Sequence, residues 1–333
     1  MQNEVSVIAR RMADAIVLFW LVVTIIFVLI RMAPGDPADF LVPPTATAAD
    51  AARLRADLGL DRPLIVQYAH WAGAVVRGNL GESFSSRQPV SRILLDAAPV
   101  SIALGGISLL LTFLIGVPVG MFQAANRSNA LDGLTTVLTT AVYAAPSFWI
   151  ALALVAVFTY GAASLGVPAA LRLPAFGIRT PGIVLGGWAG LVDLARHAVL
   201  PVVTLTAVGA AGIARYSRSA VADVLDEGWV GMARAKGAPP ARLYATHILR
   251  NVTPQLTVLA ALSLPGLIAG SVFVESVFAW PGLGKAMLVA IQARDYPVVM
   301  GATVFYAAAV IFANLAADIV LPLLDPRRGA HAA

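Results

Sequence analysis

Cysteine is absent from the 333 residues, which excludes disulfides, thiolate metal sites, iron–sulfur clusters and cysteine nucleophiles. Charge is scarce. Asp, Glu, Lys and Arg make up 12% of the chain against 59% hydrophobic residues, where an average soluble domain carries roughly 25% charge. With a mean hydropathy of +0.82, the apolar surplus exceeds what a core can hide, and the remainder must face lipid. Lysine is nearly missing: Lys236 and Lys285 are the only two, so almost all of the 23 cations are arginine. His70, His197, His247 and His331 lie too far apart for metal-ligand spacing. The net charge of +5 is not gathered with aromatics in one segment, so nucleic acid is not an expected partner and an anionic lipid leaflet is. Neither lysine precedes Ser or Thr, so the chain holds no P-loop, and HExxH and GxSxG are also missing. No catalytic residue, metal site or cofactor is therefore expected in this chain.

What is present is a set of uncharged runs. Six are long enough for a hydrocarbon core that takes about 20 helical residues: 15–30, within 97–126, within 133–171, 198–214, 251–274 and 296–317. The Gly-rich run 180–192 is read as loop. The first run has the outline of a signal peptide after Arg10 and Arg11, but RMAPGDP offers no small-residue cleavage site. With six spans both termini share one side. Arg10, Arg11, Arg127, Arg215, Arg218, Arg234, Lys236, Arg242, Arg250, Arg327 and Arg328 then fall on that side, against Arg172, Arg179, Arg196, Lys285 and Arg294 in the short loops of the other. The positive-inside bias places both termini in the cytoplasm.

Two polar segments are patterned. Outside, Thr47 and Asp50 have capping-box spacing before a helix over 48–58, and Gly59 is placed to stop it. Pro63 then opens a helix on which Leu64, Tyr68, Trp71 and Val75 recur at helical spacing up to Gly78, a face suited to packing on the spans. Inside, Gly228 breaks a helix continuing span four, 229–236 forms a short helix stopped by Gly237, Pro239 and Pro240, and a third helix over 241–250 leads to span five. A short helix between breakers suits docking into a groove on another protein. Gly231, Ala233 and Ala235 permit close backbone approach, and Lys236 complements the helix dipole. A basic loop lying on headgroups is the alternative.

The run ARAKGAPPARLYATHILRN, followed by Pro254, resembles the EAA loop of the membrane subunits of ATP-binding-cassette importers, in the first-permease (B-type) branch of the dipeptide/oligopeptide/nickel permease family. Gly231 stands near the place of the glutamate that names the loop. APGDP at 33–37, LGLDRPLIVQY at 58–68, GNLGESF at 78–84, VESVFAWPGLGK at 274–285, RDYPVV at 294–299 and NLAADIVLPLLDPRR at 314–328 are similar to the same branch. The resemblance implies an all-α integral membrane protein with the six-helix type I importer (MetI-like) permease fold. Its parts are then a cytoplasmic N-terminus with helix 1 (1–31), an extracytoplasmic segment (32–97), a permease core (98–322) containing the coupling segment 215–254, and a cytoplasmic tail (323–333). It also implies a bacterial or archaeal plasma membrane, a second homologous permease, two cytoplasmic ATPases that bind the ATP and Mg, and an extracytoplasmic binding protein. The ATPase contact falls on Trp229, Gly231, Ala233, Arg234, Ala235, Lys236, Gly237, Ala238 and Pro239. A peptide is the default substrate.

Glu275, Asp318, Asp96 and Asp14 sit at span ends, where interfacial solvation or a local arginine accounts for them. Glu275 invites a gate role because SVFAWPGLG follows it. Trp280, Pro281 and Gly282 read as a rigid outer turn, with Gly282 supplying a positive φ. Pro118, Pro146 and Pro265 are expected to kink spans, and His247 to be packed or capping. The competing classes are a self-contained secondary transporter or channel, disfavoured by the uncharged span centres, and an intramembrane enzyme, for which no base is evident.

Overall fold

Helices succeed one another along the chain in the computed structural model, which describes residues 2–32, 47–57, 59–127, 129–168, 171–183, 185–269 and 272–324. The APGDP motif at 33–37 and the tail beyond 324 lie outside the described residues. The first helix, α1, is Gln2–Met32. The outer segment holds α2, Ala48–Asp57, and α3, Leu64–Val76. The capping box at its start is formed: Thr47 N donates to Asp50 Oδ2 at 2.9 Å and Asp50 N to Thr47 Oγ1 at 3.3 Å. The aromatic part of the expected face of α3 packs as read, with Tyr68 and Trp71 each 5.3 Å from the Phe27 ring of α1 and the Tyr68 hydroxyl 2.6 Å from Thr24 Oγ1, whereas Leu64 at its start stays exposed.

The core begins with α4, Val90–Ala125, which carries Pro99 and Pro118 internally. The third expected span is divided. α5, Ala130–Ala144, ends at an extended Ala145 (ψ 134°), because the ring of Pro146 excludes the helical region for the residue before it. α6, Ser147–Val155, follows and is prolonged by a π turn, Ala156–Gly161, and the turn Ala162–Ser164. α7 is Gly187–Leu225. It absorbs residues 187–192, read from sequence as loop: Gly186 and Gly187 occupy its cap and first position, where glycine costs little, and the apolar residues after them run straight into the span.

Beyond it lie α8, Gly228–Ala235, and α9, Leu249–Ala269, which is entered through Pro240–Arg242 and a π turn, Leu243–Ile248. The chain closes with α10, Val272–Val277, α11, Leu283–Gln292, and α12, Tyr296–Leu324. Among the described residues, helices at Arg10–Met32, Val90–Ala125, Ser147–Ser164, Gly187–Leu225 and Tyr296–Leu315 are long and apolar enough to cross a bilayer. The remaining expected span, 251–274, corresponds to α9 and the start of α10.

The α4–α7 pair is the most extensive contact in the fold. Lipid gives helices little hydrophobic drive to associate, so close backbone packing must hold them. Gly116 and Gly120, one turn apart on α4, provide it: a Cβ at Gly116 would lie 2.8 Å from the Ala210 carbonyl oxygen, and one at Gly120 2.6 Å from Ser217 Cβ. Leu110 and Leu114 on the same helix stay 69% and 64% exposed, as lipid contact requires.

Candidate functional site

Three regions carry the candidate residues. The first is the short helix α8. Glu227 caps it in extended conformation, and Lys236 ends it with Gly237 at φ +79°. Gly237 N donates to Arg234 O at 2.9 Å and Ala238 N to Ala233 O at 3.1 Å, the paired bonds of a Schellman stop, which needs a left-handed residue at Gly237. The break expected at Gly228 falls instead at Asp226 and Glu227, because Gly228 is tolerated as the first helical residue. Val230 is the one fully buried residue of α8, seated among Val221, Leu225, Leu243, Ile248 and Val252. Ala233 and Ala238 are half-buried. Trp229, Gly231, Arg234, Ala235, Lys236, Gly237 and Pro239 are exposed, and so is Met232, an apolar side chain three residues after Trp229 that the sequence reading did not single out.

Ion pairs brace the base of this helix. Arg127, just after α4, donates to both carboxylate oxygens of Asp226, and the guanidinium holds that carboxyl below its ordinary range. Arg218 on α7 makes a bidentate pair with Asp132 on α5, at 2.9 and 2.6 Å. His247 is exposed rather than packed. What its neighbourhood uses is its carbonyl, which accepts Asn251 Nδ2 at 2.8 Å at the end of the π turn.

The second region is the outer turn. Glu275 is fully buried, which overturns interfacial solvation as its explanation. Oε1 accepts Ser101 Oγ of α4 at 2.7 Å and Oε2 accepts Lys285 N at 3.0 Å, while Leu283 N donates to Ser101 Oγ at 2.8 Å. The structure thus gathers Glu275, Trp280 and Gly282, with Pro281 exposed at the tip. Gly282 is not in the left-handed region (φ −96°), and the positive φ belongs to Ala279 at +56°. Gly282 is required by space: a Cβ there would lie 2.5 Å from Glu275 Cδ and 2.6 Å from Ser101 Oγ. Asp96 does meet a local arginine, Arg92, at 3.8 Å. Asp14 is exposed, and the side chain of Asp318 lies outside the described set.

The third region is a cavity of about 640 Å³ walled by α4, α7 and α9. Ser101, Ser108 and Thr112 supply hydroxyls from one face of α4, Ser263 from α9, and Tyr143 and Tyr216 close the end nearer α8. Glu275 borders the opposite end. The hydroxyl stripe was missed, although its spacing of seven and then four residues is a helical-face signal.

A family model described as a binding-protein-dependent transport system inner membrane component matches residues 116–329, and one for the N-terminal part of such a membrane component matches 5–105. The di/tripeptide transport system permease protein DppB of Pseudomonas aeruginosa is 37% identical over 97% of this chain and 98% of its own. The oligopeptide transport system permease protein AppB of Bacillus subtilis is 34% identical over 96% and 98%, and the dipeptide transport system permease protein DppB of Escherichia coli 31% over 96% and 97%. Among solved structures, the inward-facing MetNI methionine ABC transporter superposes with a TM-score of 0.50 at 18% identity, covering 70% of this chain and 96% of that one. That likeness is one of fold.

Proposed function

The chain belongs to the inner-membrane components of binding-protein-dependent transport systems, and from that premise we propose that it forms half of the pathway of an ATP-driven peptide importer, with α8 as the coupling helix. The names of its relatives supply the solute class, di- and oligopeptides. The observation that carries the reading is the build of α8: a two-turn helix pinned at Val230 to the ends of α7 and α9, with its other face bare. Its partners in this reading are two ATPases that bind ATP and Mg, a second homologous permease across the open side of the hydroxyl-lined cavity, and a binding protein at the outer turn. Both termini are cytoplasmic, since the arginines follow the positive-inside bias. The unit boundaries become 1–31, 32–97, 98–322 and 323–333, with 215–254 as coupling segment. Closure of the ATPases moves α8, and the packed helices behind it pass the motion to the cavity.

Affinity purification in mild detergent with mass spectrometry tests the assembly. A second permease and one or two P-loop ATPases are the expected companions, and recovery of this chain alone as a homo-oligomer would favour a self-contained transporter. Gly237→Val forces a branched side chain into φ +79°, and Ala235→Glu puts a charge on the bare face. Both are expected to abolish ATPase stimulation by loaded binding protein while leaving membrane insertion intact. Normal stimulation in both variants would remove α8 from the coupling role.

A further inference from the structure

Three arginines stand where α5 and the loop after α4 meet the end of α7, and they are not used alike. Arg127 holds Asp226 and Arg218 holds Asp132. Arg215 pairs with no carboxylate among the described residues; its guanidinium carbon lies 4.9 Å from the centroid of the Tyr143 ring. That ring is itself a wall of the cavity, as are Val208, Gly212 and Tyr216. Arg215 follows Val208 by seven residues and Gly212 by three, so it continues the cavity-lining face of α7 toward the cytoplasm. Gly212 makes room for the arrangement: a Cβ there would lie 3.2 Å from Tyr143 Cε2. Arg215 is exposed, and a guanidinium resting on an aromatic face keeps its fork of N–H donors free at the edge.

Resting on the importer reading above, we propose that Arg215, laid on Tyr143, binds the free carboxylate of the transported solute at the cytoplasmic end of the pathway. The cavity beyond it offers hydroxyls and apolar surface, with Glu275 at the far end already bonded to Ser101 and Lys285 N, a lining that suits a peptide backbone of any sequence. A planar fork at one end adds a contact that every peptide with a free C-terminus satisfies and that an amide does not. The substrate class that follows is carboxylate-terminated solutes, independent of their side chains.

The test uses the assembled permease pair with its ATPases, without binding protein, and two probes, tri-alanine and tri-alanine amide, compared by saturation-transfer NMR. The acid is expected to bind about tenfold tighter than the amide, as a charge-assisted bidentate contact implies. Arg215→Gln should abolish the preference, and Arg215→Lys, which keeps the charge but not the fork, should give an intermediate one. Tyr143→Leu, which removes the platform and no charge, should weaken it and covers the event that Arg215→Gln fails to assemble. Equal binding of acid and amide by the wild type, or a preference surviving in Arg215→Gln, overturns the proposal. The same cation could serve a lipid phosphate, so tri-alanine uptake is also measured in proteoliposomes with binding protein. Slower uptake by Arg215→Gln in purely neutral phosphatidylcholine is the expected result, and a defect confined to vesicles containing phosphatidylglycerol makes Arg215 a headgroup anchor instead. Absence of ATP-dependent uptake by the wild type would count against the importer reading itself, whereas normal wild-type uptake with an indifferent Arg215→Gln defeats only the carboxylate site.

Discussion

Asp295 is buried just before α12, and four donors converge on it: Ser83 Oγ at 2.5 Å, Phe84 N at 3.0 Å, Ser85 N at 3.1 Å and Ser85 Oγ at 2.6 Å. Burial alone would raise its pKa, but the hydroxyls of Ser83 and Ser85 and the backbone N–H groups of Phe84 and Ser85 together hold it below the ordinary carboxylate value. A carboxyl depressed on folding stabilises above its unfolded pKa, and that contribution is lost as pH falls through the folded one. Asp295→Asn, which turns an amide N–H₂ toward donors, is therefore expected to cost about 1–3 kcal/mol at neutral pH. Its deficit against wild type should close as pH drops below about 4, read by thermal unfolding of the purified complex across pH. At the outer turn, Glu275→Gln keeps one acceptor and points N–H₂ at either Ser101 Oγ or Lys285 N. A loss of about tenfold in uptake, matching one unmade buried hydrogen bond, is expected, with Ser101→Ala close behind; wild-type uptake in both would leave Glu275 without a role at the mouth. Glu275 was visible in sequence as an acid at a span end. Its partner was not, because Ser101 lies 174 residues away and hydroxyls are common in membrane helices.

At the scale of elements, hydrophobic runs placed the spans well, because length and absence of charge are what the bilayer selects. The finer features escaped: the start of α7 at Gly187, and the π turns at 156–161 and 243–248, neither of which begins at a breaker residue in the sequence. The short helix α8 was legible to within a residue, since glycine and proline breakers act locally. The α4–α7 contact was not, as GxxxG spacing at 116 and 120 gains meaning only from the facing helix. It makes a definite prediction. Gly120→Leu drives a side chain into Ala214 and Ser217, an overpacking that costs about 1–3 kcal/mol or more. The variant should insert but lose thermal stability and ATPase stimulation together, whereas Gly133→Leu, which meets open space at its Cβ, should do neither; an unaffected Gly120→Leu would mean that the two helices do not approach this closely.

Over the whole molecule, sequence composition alone led to a polytopic helical protein, and the order of motifs led to its family. What neither contained was the sorting of its polar groups into structural and available ones: Asp132, Glu275 and Asp295 are spent on internal bonds, as are the hydroxyls of Ser101 and Ser263 in the cavity wall, while Ser108 Oγ has no hydrogen-bond partner and Arg215 no carboxylate among the described residues. The same sorting applies to α8. Val230, with the half-buried Ala233 beside it, ties that helix down by burial, so its exposed side chains at Trp229, Met232, Arg234 and Ala235 can be rewritten without touching that anchor. In the coupling role proposed for α8, recognition of a motor and integrity of the channel become separate traits of one segment, and a chain of this design could change allegiance from one ATPase to another through a few exposed substitutions.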